Sequence, residues 1–268
     1  MPTRQNIFVN KLLVPFVKAW NLFFEIPFPI SNKLNNKINS TCSTNEESIL
    51  YAVPLIGLVV GIIAYVFILI MYLLFGAILA AILCSIIIML ICEILSYGGD
   101  TNNLVHSLTN RSFAASRKSA EEQQSLKEGN YLFIYLFIYI FIAVFLLRIV
   151  CLGVIIYDHN FSWIIIIVTL SMTTQGFLAI NSSDSLINIS DKKSNIIVWI
   201  IPAVICIIFG WYVFAATAIA YILTLAISIQ MKRHLNNSNS LFGDNIGVSG
   251  KYIEILVLII GLIAVTQH

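Results

Sequence analysis

Long apolar runs alternate with polar stretches along most of the chain, and this pattern predicts membrane-spanning helices. The first run, 49–95, has no charged residue before Glu93. It is more than twice the roughly 20 apolar residues that one span needs, so we expect it to divide at Gly76. Further runs occupy 131–156, 161–180, 196–229 and 252–265. Because 196–229 also divides, near Gly210, the pattern predicts an all-α polytopic bundle of about seven spans, with six or eight as alternatives.

The amino-terminal segment differs from these runs because it mixes apolar and polar residues. Lys11 and Lys18 interrupt the segment 6–24, and Pro15 lies within it. A secretory signal has an unbroken apolar core, so we interpret 6–24 as an amphipathic helix at the cytoplasmic membrane interface. Residues 31–48 are rich in Asn, Ser and Lys and indicate a polar linker. The predicted organisation is therefore a cytoplasmic segment, 1–48, followed by a membrane bundle, 49–268.

Composition supports a membrane protein and excludes several other classes. Of the 268 residues, 59% are hydrophobic and only 10% are charged, whereas soluble domains carry about 25% charged residues. This balance excludes a soluble enzyme, a secreted disulfide scaffold and a disordered chain. The net charge of +2 gives no reason to expect a nucleic-acid partner. The five cysteines have the spacing of neither a zinc site nor a disulfide framework.

The distribution of Lys and Arg predicts the orientation in the membrane. Fourteen of the 15 lie on one side of a seven-span topology. That side comprises the segments 1–48, 96–130, 181–195 and 230–251. Positive charge collects on the cytoplasmic side, so the sequence predicts a multi-pass protein of the cell inner membrane with a cytoplasmic amino terminus. The remaining cation, Arg148, falls inside the third predicted span, and we expect its side chain to snorkel outward.

Two carboxylates beside glycines are candidates for chemistry. Asp100 follows two glycines at the end of an apolar run, and Asp244 lies in the segment 243–247 before the last run. Glycine favours compact turns, so each segment is predicted to hold a carboxylate on a turn at the membrane surface. Two such turns could share Mg²⁺, which binds carboxylates together with phosphate oxygens. The alternative is that each is a helix-end turn with a solvated Asp.

The order of four short motifs resembles the cobalamin synthase family, adenosylcobinamide-GDP ribazoletransferase. The motifs are FFEIPFP, VPLIGLVVG, GGD and GDNIG, at 23–29, 53–61, 98–100 and 243–247. The resemblance extends over nearly the whole chain. It implies a multi-span membrane enzyme that joins α-ribazole, or its phosphate, to adenosylcobinamide-GDP with release of GMP. Those two substrates and the lipid bilayer are then the expected partners, and the sequence leaves open whether the chain forms a homo-oligomer.

The resemblance also implies roles for individual residues. Asp100 and Asp244 are expected to bind Mg²⁺ and to be catalytic, and Glu254 is expected to support the metal or to act as a base. Lys127 is expected to contact a substrate phosphate. The remaining expected substrate contacts are Asn103, His106, Gly243 and Gly247.

Departures from the family pattern keep two alternatives open. Glu25 stands where the family has Arg, and Asn103, Ser107 and Asn110 stand at three carboxylate positions of the family's acidic loop. The chain could therefore be an impaired or re-purposed relative on the same scaffold. It could also be an unrelated small membrane transporter, which should place polar residues in mid-span. Arg148 and Gln175 are the candidates for such positions.

Overall fold

The computed structural model describes residues 14–23, 46–95, 126–180, 192–237 and 242–266, and these ranges are almost entirely helical. The single-turn 3₁₀ segment Trp211–Val213 joins two of the α-helices. The α-helices are α1 (Val14–Phe23), α2 (Glu46–Leu95), α3 (Leu126–Tyr157), α4 (Ser162–Ile180), α5 (Lys192–Phe209), α6 (Phe214–Asn237) and α7 (Phe242–Thr266). No strand occurs in the described ranges, and the predicted all-α class is confirmed.

Glycines divide the two longest apolar runs, as predicted. Gly76 interrupts α2 with φ 75° and ψ 175°, a backbone conformation that L side chains rarely adopt. It separates a first arm, 46–75, from a second arm, 77–95. Gly210 separates α5 from the 3₁₀ segment that leads into α6. With α2 counted as two arms, the described ranges contain seven bundle helices, the number that the sequence predicts.

Several helices extend beyond the apolar runs and into the segments predicted as cytoplasmic loops. The predicted loop 230–251 is mostly helical, because α6 continues to Asn237 and α7 already begins at Phe242. The ends of loops 96–130 and 181–195 are also helical, since α3 begins at Leu126 and α5 at Lys192. Hydropathy indicates which residues can lie among lipid tails, but it does not show where a helix ends. A helix can continue through polar residues because its hydrogen bonds join backbone groups.

The amino-terminal helix packs on protein. Val17 and Ala19 of α1 are buried, and Ala19 lies in one apolar cluster with Val53 and Ile56 of α2. The predicted helix is therefore present over 14–23, but its apolar face meets α2. The predicted linker 31–48 is also shorter than expected at its end, because α2 begins at Glu46.

Helix α4 forms the centre of the bundle and packs against α2, α5, α6 and α7. Its contact with the first arm of α2 is close because glycines face its backbone. A Cβ atom at Gly57 would lie 2.8 Å from the Cα of Thr169, and one at Gly61 would lie 2.8 Å from the Cα of Ile165. Small residues allow this approach of two helices in a membrane. Since 57 faces 169 and 61 faces 165, the two helices are antiparallel.

Three connections or helix ends meet at one end of the bundle. The Tyr72 ring lies 4.9 Å from the His159 ring, between centroids, which places the end of the first α2 arm beside the α3–α4 turn. Trp163 at the start of α4 lies against Gly261 near the end of α7. At the opposite end, Lys232 of α6 lies 5.5 Å from the ring centre of Phe177, near the end of α4. The structure thus has two distinct ends, and we call the end near Lys232 the basic end.

Three described segments are long and apolar enough to cross a membrane: Tyr51–Ile91, Ile138–Tyr157 and Trp211–Arg233. Two shorter apolar helices cover Ser162–Leu178 and Val198–Phe209. Large apolar side chains cover the outside of the long helices; Leu73 is 75% exposed and Ile78 is 65% exposed. Such a surface is unfavourable in water and is suited to lipid. The structure therefore supports a membrane protein.

Candidate functional site

The structure describes only part of the predicted site. Asp100, Asn103 and His106 lie outside the described residues. For Lys127 and Asp244 it describes the backbone alone, and both belong to the first turns of helices. The predicted meeting of Asp100 with Asp244 therefore stays a prediction.

The predicted compact turn at 243–247 is wrong. Gly243, Asp244 and Gly247 all belong to α7, which begins at Phe242. An acidic residue is favoured in the first turn of a helix because the unpaired N–H groups there carry partial positive charge. The alternative interpretation of the sequence, in which Asp244 lies at the end of a helix, agrees better with this backbone.

Two of the predicted site residues, Lys127 and Asp244, lie at different distances along the bundle axis. At a rise of about 1.5 Å per residue, Lys127 lies about 30 Å along α3 from Arg148. Asp244 lies only about 15 Å along α7 from Glu254. Because Arg148 and Glu254 are in contact, and α3 and α7 both begin towards the basic end, Lys127 lies farther out than Asp244. The structure does not bring these two backbone positions to the same height.

A buried ionic cluster joins α3 to α7 in the interior of the bundle, and we call Arg148, Lys251 and Glu254 the ionic cluster. Arg148 donates from Nε to Glu254 Oε1 at 3.1 Å and from Nη2 to the same oxygen at 2.5 Å. Lys251 Nζ lies 3.4 Å from Glu254 Oε2. The side chains are 1%, 6% and 15% exposed for Arg148, Lys251 and Glu254. Each carboxylate oxygen therefore has a cationic neighbour.

The ionic cluster lies at a depth in the bundle where an unpaired charge would be costly. Arg148 lies in the middle of Ile138–Tyr157, one of the three membrane-length segments. A charged residue at the centre of a membrane helix costs about 2.5–3.5 kcal/mol on insertion scales. Pairing with a carboxylate offsets that cost, and removing one partner of a buried pair typically costs about 3–5 kcal/mol in soluble proteins. The ionic cluster is therefore expected to matter for the assembled bundle.

The prediction that Arg148 snorkels outward is wrong, because its guanidinium is buried and paired with a residue 106 positions away. The sequence contained a usable signal. Arg148 lies inside one predicted span, and Glu254 lies at the start of another. Opposite charges in two apolar segments are expected to pair, since ionisable residues in a membrane face the bundle interior.

Polar contacts also hold α7 and α6 against α4. Ser171 donates to the carbonyl of Gly250 at 2.9 Å, and Trp163 Nε1 donates to the carbonyl of Val257 at 3.0 Å. Thr174 and Ser228 share a hydrogen bond of 3.1 Å. In the part of the chain that the structure describes, only the hydroxyl of Thr169 is a buried side-chain donor or acceptor without a hydrogen-bond partner. The interior is mainly apolar, and nearly all the buried polar side chains of the described ranges are hydrogen-bonded.

The described residues do not supply a metal site. Within them, no group of three or more His, Cys, Asp or Glu side chains is close enough to bind a metal ion. Glu254 has a cation at each oxygen, an arrangement that does not suit a metal ligand. Its predicted catalytic role stays a prediction, as does the Mg²⁺ expected at Asp100 and Asp244. Cys84, Cys151 and Cys206 are free and buried.

A groove of about 390 Å³ lies between the second arm of α2 and α3. Its walls include Ala81, Ser85, Gly153 and Tyr157, and its lining is mainly apolar. Ser85 donates to the carbonyl of Ile82 at 3.0 Å, so its hydroxyl already has a partner. The groove therefore offers mainly apolar contact surface.

Comparison with known proteins gives no match. No family model, curated protein or solved structure is similar to the chain at the threshold of significance.

Proposed function

We propose that this chain is a membrane-embedded transferase of the cobalamin synthase type, which joins α-ribazole or its phosphate to adenosylcobinamide-GDP and releases GMP. The observation that carries the proposal is the position of α7. The segment 243–247, which best matches the family's Gly-Asp motif, forms the first turns of a helix that ionic and hydrogen-bonded contacts hold in the bundle interior. A reacting segment must be held rigidly, since a misplacement of about 1 Å can cost about 100-fold in rate.

The proposed orientation places the basic end in the cytoplasm of a cell with an inner membrane. Lys232 and Arg233 lie near the end of α6, and the first turns of α7 belong to the same end. The opposite end contains Asp158 and His159 in the α3–α4 turn. Both proposed substrates are large and polar, so a site at the cytoplasmic end gives them direct access. The chain then crosses the membrane several times.

In the proposed reaction, a hydroxyl of α-ribazole attacks the phosphorus that links cobinamide to GMP. A new P–O bond forms, the phosphoanhydride bond breaks, GMP leaves, and the hydroxyl proton passes to a base. Asp100 and Asp244 are the proposed Mg²⁺ ligands, and Mg²⁺ would supply charge neutralisation at the phosphate oxygens. The proposed substrate contacts are Asn103, His106, Gly243 and Gly247, together with Lys127 farther out along α3.

The test is conversion of both substrates by the purified protein in lipid nanodiscs with Mg²⁺. We expect cobalamin and GMP in equal amounts from wild type, with no detectable product from Asp244→Ala. Asp158→Ala is the matched control, because it removes the same charge from an exposed turn at the other end of the bundle. Equal activity of Asp244→Ala and wild type would contradict the proposed role of Asp244.

A folded wild-type protein without turnover would favour an impaired or re-purposed relative. The polar but uncharged Asn103, Ser107 and Asn110 already point in that direction, because they cannot attract a divalent cation as carboxylates do. A variant with Asp at all three positions separates two explanations of an inactive wild type. Transferase activity in that variant would support a relative of the family that has lost its metal ligands, and continued inactivity would count against membership of the family.

A small transporter is the second candidate, and the ionic cluster favours it. Ionisable residues at the middle of a membrane bundle often mark a transport pathway. The described interior is closely packed, however, and the ionic cluster is buried among hydrogen-bonded side chains. Polar character at one end of the bundle fits an interfacial enzyme better. Uptake of a polar solute into vesicles containing the protein, abolished by Glu254→Gln, would reverse this preference.

A further inference from the structure

Helix α7 is a bundle helix with charge in its buried half. Its run without charged residues begins only after Glu254, and Lys251 precedes it by one turn. The residue Lys251 is 5% exposed, so its charge belongs to the interior of the bundle. A helix with these charges needs protein partners at matching depth to lie stably in a membrane.

The contacts of α7 with α4 and with α3 are of different kinds. Ser171 and Trp163 of α4 both donate to backbone carbonyls of α7. Carbonyl acceptors repeat at every residue of a helix, so these hydrogen bonds discriminate only weakly between neighbouring registers. Arg148 of α3 instead donates to a side chain of α7, that of Glu254, through two of its nitrogens. Two charge-assisted hydrogen bonds to one carboxylate oxygen, with Lys251 at the other oxygen, restrict both the rotation and the depth of the helix that bears the carboxylate.

Close packing at two glycines of α7 also restricts how α7 can lie against α4. A Cβ atom at Gly250 would overlap the side chain of Gln175, and one at Gly261 would overlap Trp163. These contacts exclude bulkier residues from the α4 interface but supply no attraction of their own beyond dispersion. The ion pair supplies the attraction on the α3 side.

Helical spacing connects the ion pair to the proposed site. Asp244 and Lys251 are seven residues apart, which is about two turns, and therefore occupy the same side of α7. Glu254 follows Lys251 by three residues and contacts it. A change in depth or rotation of α7 at Glu254 is transmitted to the segment 243–247 because both belong to one continuous helix.

The geometry points to Arg148 as a positioning residue, whose ion pair with Glu254 fixes the depth and rotation of α7 and thereby places the segment 243–247. The importance of that segment for activity rests on the proposed function, whereas the placement of α7 does not. Arg148 acts through Glu254 and has no proposed contact with substrate.

The first experiment measures the placement of α7 without substrate. Thr266→Cys introduces a thiol at the exposed end of α7, and its reaction with a membrane-impermeant maleimide reports how far that end projects. The parent protein without the introduced cysteine gives the background. We expect Arg148→Met to change the labelling rate several-fold, Arg148→Lys to recover most of the wild-type rate, and the double exchange Arg148→Glu with Glu254→Arg to recover part of it.

Leu147→Met is the matched control, because Leu147 is the neighbour of Arg148 but is 43% exposed and outside the ionic cluster. It should label as wild type does. Wild-type labelling in Arg148→Met would overturn the inference, and so would Arg148→Lys behaving no better than Arg148→Met. If Arg148→Met does not accumulate as folded protein, the double exchange decides: recovery of folded protein with labelling closer to wild type supports the inference, and failure to recover overturns it.

The second experiment measures transferase kinetics in the same variants. We expect kcat of Arg148→Met to fall by about 100-fold, with a smaller change in KM, and Arg148→Lys to restore kcat. If wild type shows no transferase activity, the proposed function fails, while the labelling result still decides the placement of α7. If wild type is active and Arg148→Met retains its kcat, the positioning role fails while the proposed function stands.

Discussion

Single residues determine how closely the bundle helices approach, and Gly57 is the clearest case. Its missing side chain lets α2 lie against the backbone of α4, where a Cβ atom would be 2.8 Å from the Cα of Thr169. A backbone atom cannot move aside as the end of a flexible side chain can. The sequence shows Gly57 and Gly61 one turn apart in an apolar run, but it does not show which helix they face.

We therefore predict that Gly57→Ala destabilises the protein by about 1–3 kcal/mol, the usual cost of overpacking a filled interface. Gly153→Ala is the control, because its Cβ atom would be no closer than 3.7 Å to Ser85 Oγ. Thermal unfolding of the two variants in the same detergent is the measurement. Equal melting temperatures for both variants would contradict the close approach of α2 and α4.

The ion pair of Arg148 with Glu254 is a second feature of single residues, and amino-acid composition does not predict it. The sequence places Arg148 in a span and Glu254 at the start of another, but it does not show that these two spans are neighbours in the bundle. A lone cation in a span can reach the membrane surface by extending its stem. The structure instead brings a carboxylate within 3.1 Å of the guanidinium Nε, because α3 and α7 lie side by side.

At the scale of helices, the apolar pattern predicted which segments are helical better than where they end. The divisions at Gly76 and near Gly210 are confirmed, since glycine interrupts an apolar run where the chain turns. The amino-terminal end of α7 was missed by ten residues. Seven of the ten residues 242–251 are polar or glycine, so hydropathy did not mark them as part of the helix. The helix α1 was predicted, but its partner surface on α2 was not.

At the scale of the whole molecule, the sequence predicted the separation of a basic end from the other end. All but one of the Lys and Arg residues fall on one side of the predicted topology. The structure independently brings Tyr72, the α3–α4 turn and the end of α7 together at the opposite end. The charge pattern and the packing thus describe the same two ends.

We predict that Asp158→Cys reacts with an impermeant maleimide on intact cells, because it lies in the exposed α3–α4 turn. Asn237→Cys, at the end of α6, should react only after the membrane is opened. Both variants are compared with the parent, which gives the labelling of native cysteines. The reverse pattern would invert the proposed orientation and move the basic end outside the cytoplasm.

The central claim is that Asp100 and Asp244, remote in the sequence, together bind a divalent cation at the basic end. The most direct measurement is the binding of Mn²⁺, as a paramagnetic substitute for Mg²⁺, to purified protein with adenosylcobinamide-GDP present. The account predicts that Asp100→Asn and Asp244→Asn each weaken Mn²⁺ binding strongly, and that Asp158→Asn leaves it unchanged. Wild-type Mn²⁺ affinity in both Asp100→Asn and Asp244→Asn would contradict the claim.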